Sequence, residues 1–193
     1  MDSKIVKTNS TKAEFEEAIS KCREIYKKKL EDYGTSWRIM RPSSITDQIF
    51  IKAKRIRFIE EKGMENALVK EGIFPEFIGI VNYGVIGLIQ LKLSPGEPFN
   101  KEMALEIYDE IILKSTKLML DKNHDYDEAW RDMRVSSFTD IILQKLYRTR
   151  EIENNKGKTI ISEGIDANYM DMINYALFAL IKLKDEELSK QSH

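Results

Sequence analysis

Residues 29–57, KLEDYGTSWRIMRPSSITDQIFIKAKRIR, return as residues 122–150, KNHDYDEAWRDMRVSSFTDIILQKLYRTR, with 15 of 29 positions identical. The identities include polar and aromatic side chains as well as apolar ones: Asp32/Asp125, Tyr33/Tyr126, Trp37/Trp130, Asp47/Asp140, Lys52/Lys145 and Arg55/Arg148. After a one-residue deletion the pairing resumes, residues 71–92 over 163–184, with nine further identities that include Glu71/Glu163, Gly72/Gly164, Asn82/Asn174 and Tyr83/Tyr175. Self-similarity at a fixed period marks an internal duplication. Each half is therefore a control for the other. Shared polar residues are candidates for a common task, and differences show where one half has lost it.

Each copy reads as three helices. The first opens at Thr11, where Thr11-Lys12-Ala13-Glu14 has capping-box spacing, and continues with Phe15, Ala18, Ile19, Cys22, Ile25, Tyr26 and Leu30 at helical intervals. Its counterpart carries Leu105, Tyr108, Ile111, Ile112, Thr116, Met119 and Leu120. The second begins near Ser44 or Ser137, each followed three residues later by an acid, Asp47 or Asp140. The third starts at about Phe74, with Pro75 in the first turn, or at Asp166 as an N-cap, and is apolar nearly all round from Phe77 to Leu91 and from Tyr169 to Leu183. Helices of that kind belong at the centre of a fold. The expected architecture is an all-α bundle of about six helices in one compact domain, 1–193, made of repeat one, 11–93, and repeat two, 102–185, related by a pseudo-two-fold axis. A linker, 94–101, joins them and contains Ser94-Pro95-Gly96-Glu97-Pro98.

Composition narrows the function. Lys plus Arg, 31, nearly cancels Asp plus Glu, 32, so no basic surplus argues for general nucleic-acid binding. Cys22 is the only cysteine, which excludes an internal disulfide or a thiolate cluster and fits a reducing cytoplasm. The N-terminus has no apolar core of signal-peptide type, and the stretch from Ile78 to Leu91 is broken by Asn82 and Gln90, so no membrane partner is expected. Two histidines, His124 and His193, leave no basis for a histidine triad or zinc site, and no glycine-rich phosphate loop occurs. Phosphate chemistry, if present, would rest on carboxylates and a metal. A monomer or homodimer is expected.

Five groups of residues are candidates for a site. Asn82 and Asn174 stand in helices destined for burial, where an amide either bridges helices or meets a ligand. Asp171 lies three residues before Asn174 on the same face, and a buried acid demands a cation or hydrogen bonds; its counterpart is Gly79, so a site that uses it exists only in the second copy. Asp47 and Asp140 read first as helix-start acids, each at the third position after a serine. Glu71 and Glu163, before glycine at the entry to the third helix, could cap an amide or reach a pocket mouth. Asp125 and Tyr126 with Trp130, and Asp32 and Tyr33 with Trp37, form a loop motif that is either a core wedge or a ligand contact. The cations behind it, Lys145 with Arg148 and Lys52 with Arg55, favour an anionic ligand.

The run Lys122-Asn123-His124-Asp125-Tyr126 with Trp130, then Lys145, Arg148, Glu163, Asp171, Asn174 and Tyr175, resembles the nucleotide modification associated domain family, in two tandem copies. More distantly it is similar to the MazG-type all-α nucleoside triphosphate pyrophosphatases, although of their paired ExxE and ExxD this chain offers only Glu163-Gly164-Ile165-Asp166 and isolated acids. The resemblance implies a nucleotide-handling protein, foremost a Mg²⁺-dependent nucleotide pyrophosphohydrolase. Asp171, Glu163, Asp140 and Asp125 would surround the ion, with Glu163 and Asp171 as the catalytic acids. Lys145 and Arg148 would meet the phosphates, and Asn174 with Trp130 or Tyr126 the rest of the nucleotide. The alternative is a non-catalytic nucleotide-binding or scaffold protein that accompanies nucleic-acid modification.

Overall fold

A computed structural model describes the backbone of residues 2–93, 97–161 and 163–191, with side chains from residue 11 to 189 except 118, 122 and 124. Six helices carry the fold: α1 (Asp2–Tyr33), α2 (Pro42–Lys62), α3 (Phe74–Lys92), α4 (Lys101–Asp125), α5 (Val135–Asn154) and α6 (Ile165–Gln191). No strand occurs among the described residues. Short 3-10 turns at Ser36–Ile39 and Ala129–Asp132 place one tryptophan in each half. The first three residues of the linker, 94–96, lie outside the described residues. Asn100 closes the linker by accepting the Met103 amide at 2.8 Å, a side-chain cap for α4.

The two nearly all-apolar helices, α3 and α6, pack on each other at the centre, flanked by α2 and α5. Their close approach depends on small residues. A Cβ at Gly84 would stand 2.7 Å from the Ile173 side chain, and one at Gly87 would stand 2.7 Å from the Tyr169 ring. The counterparts of these glycines, Ala176 and Ala179, are fully buried, so each helix offers a shallow seam to the other. By length and composition α3 is apolar enough to cross a membrane, longer than its uninterrupted greasy stretch suggested. Even so, 61% of it is buried inside the protein.

Reciprocal contacts across the halves carry the pseudo-two-fold relation. Arg57 donates to Asp140 at 2.8 Å, and Arg150 donates to Asp47 at 2.6 Å. Thr46 donates to Glu153 at 2.6 Å, and Thr139 donates to Glu60 at 2.9 Å. Pairing in which residue i meets j and j meets i is the signature of a two-fold interface. These crossings account for Asp47 and Asp140, which are not caps: α2 and α5 start two residues before Ser44 and Ser137, behind the extended Arg41 and Arg134, which make no side-chain cap bond. Pro42 explains the earlier start of α2, since its fixed φ suits the first helical turn.

Two other starts differ from the sequence reading. The first helix begins at Asp2, so Thr11 is an interior residue, fully buried, that accepts the Arg131 guanidinium at 2.8 Å. Capping-box spacing also occurs inside helices, and here the polar residues before Thr11 continue one. Asp166 stands in the first turn of α6 rather than at its cap.

Candidate functional site

The turn between α4 and α5 is pinned from several sides. Arg131 donates to Glu128 at 2.6 Å and to Glu14 of α1 at 2.5 Å, and its guanidinium lies 4.4 Å from the centre of the Trp130 ring. Lys182 of α6 holds the Arg131 carbonyl, as Gln90 of α3 holds the Arg38 carbonyl in the other half. Trp130 is thereby driven into the core, 5% exposed, stacked at 4.5 Å on Phe178 and edge-on to Phe15 at 6.3 Å. Phe178 and Arg131 occupy the faces of this ring, so Trp130 is a wall and not a stacking platform.

Behind that wall lies a cavity of about 320 Å³. Asn123 and Met119 of α4 line it, with Tyr126 and Trp130 from the turn, Glu163 from the loop, and Asp171, Asn174 and Tyr175 from α6. Its size is at the lower end for small-molecule sites. Tyr126 is exposed at the rim. Burial, and then the nearby Asp171, push the Tyr175 phenol above its usual range, so it remains an O–H donor at neutral pH. Asn174 donates its amide to the Ser115 carbonyl at 3.0 Å, whereas its Oδ1 is buried without a partner, as is the Trp130 indole N–H. A buried acceptor left unpaired costs about 1 to 3 kcal/mol, which a ligand N–H would recover.

The equivalent amide in the first half is fully satisfied. Asn82 donates to the Cys22 carbonyl at 3.0 Å and accepts the Tyr108 hydroxyl at 2.9 Å. The position matching Tyr108 in the first half is Phe15, which has no hydroxyl to offer Asn174. One missing oxygen therefore opens the acceptor. Each asparagine bridges to the first helix of its own half; neither bonds to the other.

The shared cations are not free to clamp an anion in both halves. In the first half, Lys52 and Arg55 both grip Glu76, at 3.1 Å and 2.5 Å, and Arg55 also donates to the Val69 and Glu71 carbonyls. In the second half Asn168 replaces Glu76, Asp171 replaces Gly79, and Lys145 meets Asp171 at 2.5 Å. The acid has moved one turn along the helix and still neutralises the lysine. No ion pair of Arg148 occurs among the described residues, and the Oδ1 of Asn168, the counterpart of Glu76, is buried unpaired.

Of the sequence candidates, Tyr126, Trp130, Glu163, Asp171 and Asn174 come together in one pocket, with Lys145 attached through Asp171. Asp140 does not line it; this acid faces Arg57 across the two halves. Asp125 is the last residue of α4, also outside the lining. Among the described residues, no three of His, Cys, Asp and Glu converge as a metal site. With Asp171 held by Lys145 and Asp140 by Arg57, the acids do not fit the Mg²⁺ cage that the resemblance implied. Sequence reasoning missed Asn123, although it stood in the quoted motif, because its counterpart is Leu30. It also missed Met119, Met170 and Phe178, which read as ordinary core.

Comparison with known families matches this chain to the nucleotide modification associated domain 1 family twice, over residues 29–91 and 122–183. The likeness to MazG-type pyrophosphatases gains no support from it. Comparison with curated proteins and with solved structures gives no match. The family matches span well over half of the sequence, and the chain belongs to that family.

Proposed function

We propose that this member of the nucleotide modification associated domain 1 family binds a nucleotide without hydrolysing it, with the base in the second-half pocket. The observation that carries the reading is the unpartnered Asn174 Oδ1 inside a cavity of about 320 Å³ walled by aromatic residues. Tyr126 and Tyr175 offer ring faces to a planar group, and base–aromatic stacking contributes about 1 to 3 kcal/mol per base. Asn174 and the free edge of Asp171 accept hydrogen bonds, which favours a base with an exocyclic amine. With Lys145 paired to Asp171, Arg148, one turn further along α5 and outside the pocket lining, is the cation we assign to a phosphate.

The presence of Glu163 and Asp171 in one pocket is what favours the hydrolase as the second reading. Titration of cytidine, adenosine and their mono- and triphosphates, with and without Mg²⁺, separates the two. The binding module gives saturable binding that survives chelation of the metal and releases no pyrophosphate. A ligand at 100 times its dissociation constant then adds about 2.7 kcal/mol of stability. Mg²⁺-dependent pyrophosphate release that Asp171→Asn abolishes would establish the enzyme instead. No binding by any of these compounds would remove the nucleotide reading.

A further inference from the structure

The first half has kept its own cavity. About 420 Å³ in volume, it is lined by Tyr26, Trp37, Gly79, Asn82 and Tyr83, each at the position that matches a lining residue of the second pocket, and by Lys29 among others. The polarity is reversed at the positions that matter. Gly79 stands where the second pocket has Asp171, so no carboxylate faces the space. Asn82 stands where Asn174 does, but the Tyr108 hydroxyl has taken its acceptor at 2.9 Å. Tyr26 stands where Met119 does and brings a phenol. The groups buried here without partners are the Tyr26 hydroxyl and the Trp37 indole N–H. Burial pushes the Tyr26 phenol well above its usual range, so it is an O–H group at any physiological pH.

We infer that this cavity is a second, independent binding site for a planar ligand rich in hydrogen-bond acceptors, neutral or anionic, such as a base that carries carbonyls and no exocyclic amine. Tyr26 O–H and Trp37 N–H present donors to ring carbonyls, the Tyr83 ring offers a face, and Lys29 at the rim adds positive charge. The second pocket shares the unpaired indole N–H, on Trp130, but replaces the Tyr26 phenol by Met119 and adds two acceptors, Asn174 and Asp171. The duplicated chain thus holds two pockets in equivalent places, of about 320 and 420 Å³, with different hydrogen-bonding character. That the ligand is base-like rests on the proposed function; that the first half binds independently, with reversed preference, does not.

The chain contains two tryptophans, one in each pocket, which makes the test direct. The full chain labelled with 5-fluorotryptophan gives one fluorine signal for Trp37 and one for Trp130, assigned with Trp37→Phe. Uridine should shift the Trp37 signal at concentrations at least tenfold lower than cytidine does, and cytidine should act first on Trp130. Tyr26→Phe, which removes only the hydroxyl, should weaken uridine about tenfold at Trp37 and leave the Trp130 titration unchanged, in keeping with one lost hydrogen bond. A Trp130 signal that responds while Trp37 stays still up to the solubility limit overturns the second site and leaves the proposed function standing. Trp37 following Trp130 with the same order of ligands overturns the reversed polarity. If neither signal moves with any nucleoside, both readings fall.

Discussion

Replacing Asp171 by asparagine and then restoring an acid one turn away tests whether this carboxylate is there for Lys145. The pair is 2.5 Å apart, with side-chain exposures of 13% for Lys145 and 23% for Asp171, so it lies between a surface pair and a buried one. Surface pairs contribute about 0 to 1 kcal/mol, and breaking a buried pair costs about 3 to 5. Asp171→Asn should therefore lose about 2 kcal/mol, because Lys145 is left half-buried without a carboxylate. Adding Asn168→Glu rebuilds the first half's arrangement, in which Glu76 holds Lys52 at 3.1 Å and Arg55 at 2.5 Å. The double variant should recover about 1 kcal/mol or more of the loss, a coupling of the size expected for residues in one charge network. Urea unfolding followed by far-UV circular dichroism at neutral pH, with an unchanged slope, measures both. The reasoning fails if Asp171→Asn unfolds within about 0.5 kcal/mol of the parent, as a neutral surface change would. It fails equally if the double variant is no more stable than the single one.

Other expectations follow from the same geometry. Burial raises the Glu153 carboxyl above its ordinary value, 4.5, so the stability this group contributes is present below that value and is lost as pH rises through the raised one. Glu153→Gln keeps an acceptor for Thr46 and should gain on the parent chain as pH climbs from about 4 to about 7, with the gap closing in acid; unfolding midpoints at the two ends check the sign. Trp130→Ala removes a ring packed against Phe178 and Phe15 and should cost about 3 to 5 kcal/mol; a loss under about 1 would show that the wall is not part of the core. Asp127 holds a left-handed φ of 47° where the first half has Gly34 at 62°, so Asp127→Gly should raise stability by up to about 1 kcal/mol in a thermal melt. A lower melting temperature would count against it.

The duplication made the fold legible, because identical residues at a fixed offset fold alike and the apolar third segment of each half had to become central. Burial also forecast that Asp171 needed a positive partner, and Lys145 is one. Contacts between the halves were hidden. Asp47 and Asp140 read as caps because local spacing says nothing about Arg150 and Arg57, which approach from the other copy. Glu60 and Glu153, which receive the threonines, stand just beyond the matched block. Lys52 and Arg55 looked like an anion clamp only until Glu76 was found between them. The open acceptor on Asn174 was least visible, since it follows from an oxygen that Phe15, in another helix, does not carry.

That hydroxyl also sets a rank between the halves as separable pieces. Cut in the 97–100 segment, the chain would yield fragments whose faces complement each other, although the cut gives up the linker's effective concentration and the contacts of Phe99 with Trp37 and Thr35. A two-fold face is self-complementary as well, so each fragment could also pair with its own copy. A pair of second halves would bring Tyr108 to Asn174 twice and close both acceptors, while a pair of first halves would set Phe15 against Asn82 twice and leave both open. The second half is the self-sufficient fragment, and the first half gains a satisfied amide only by being fused to it.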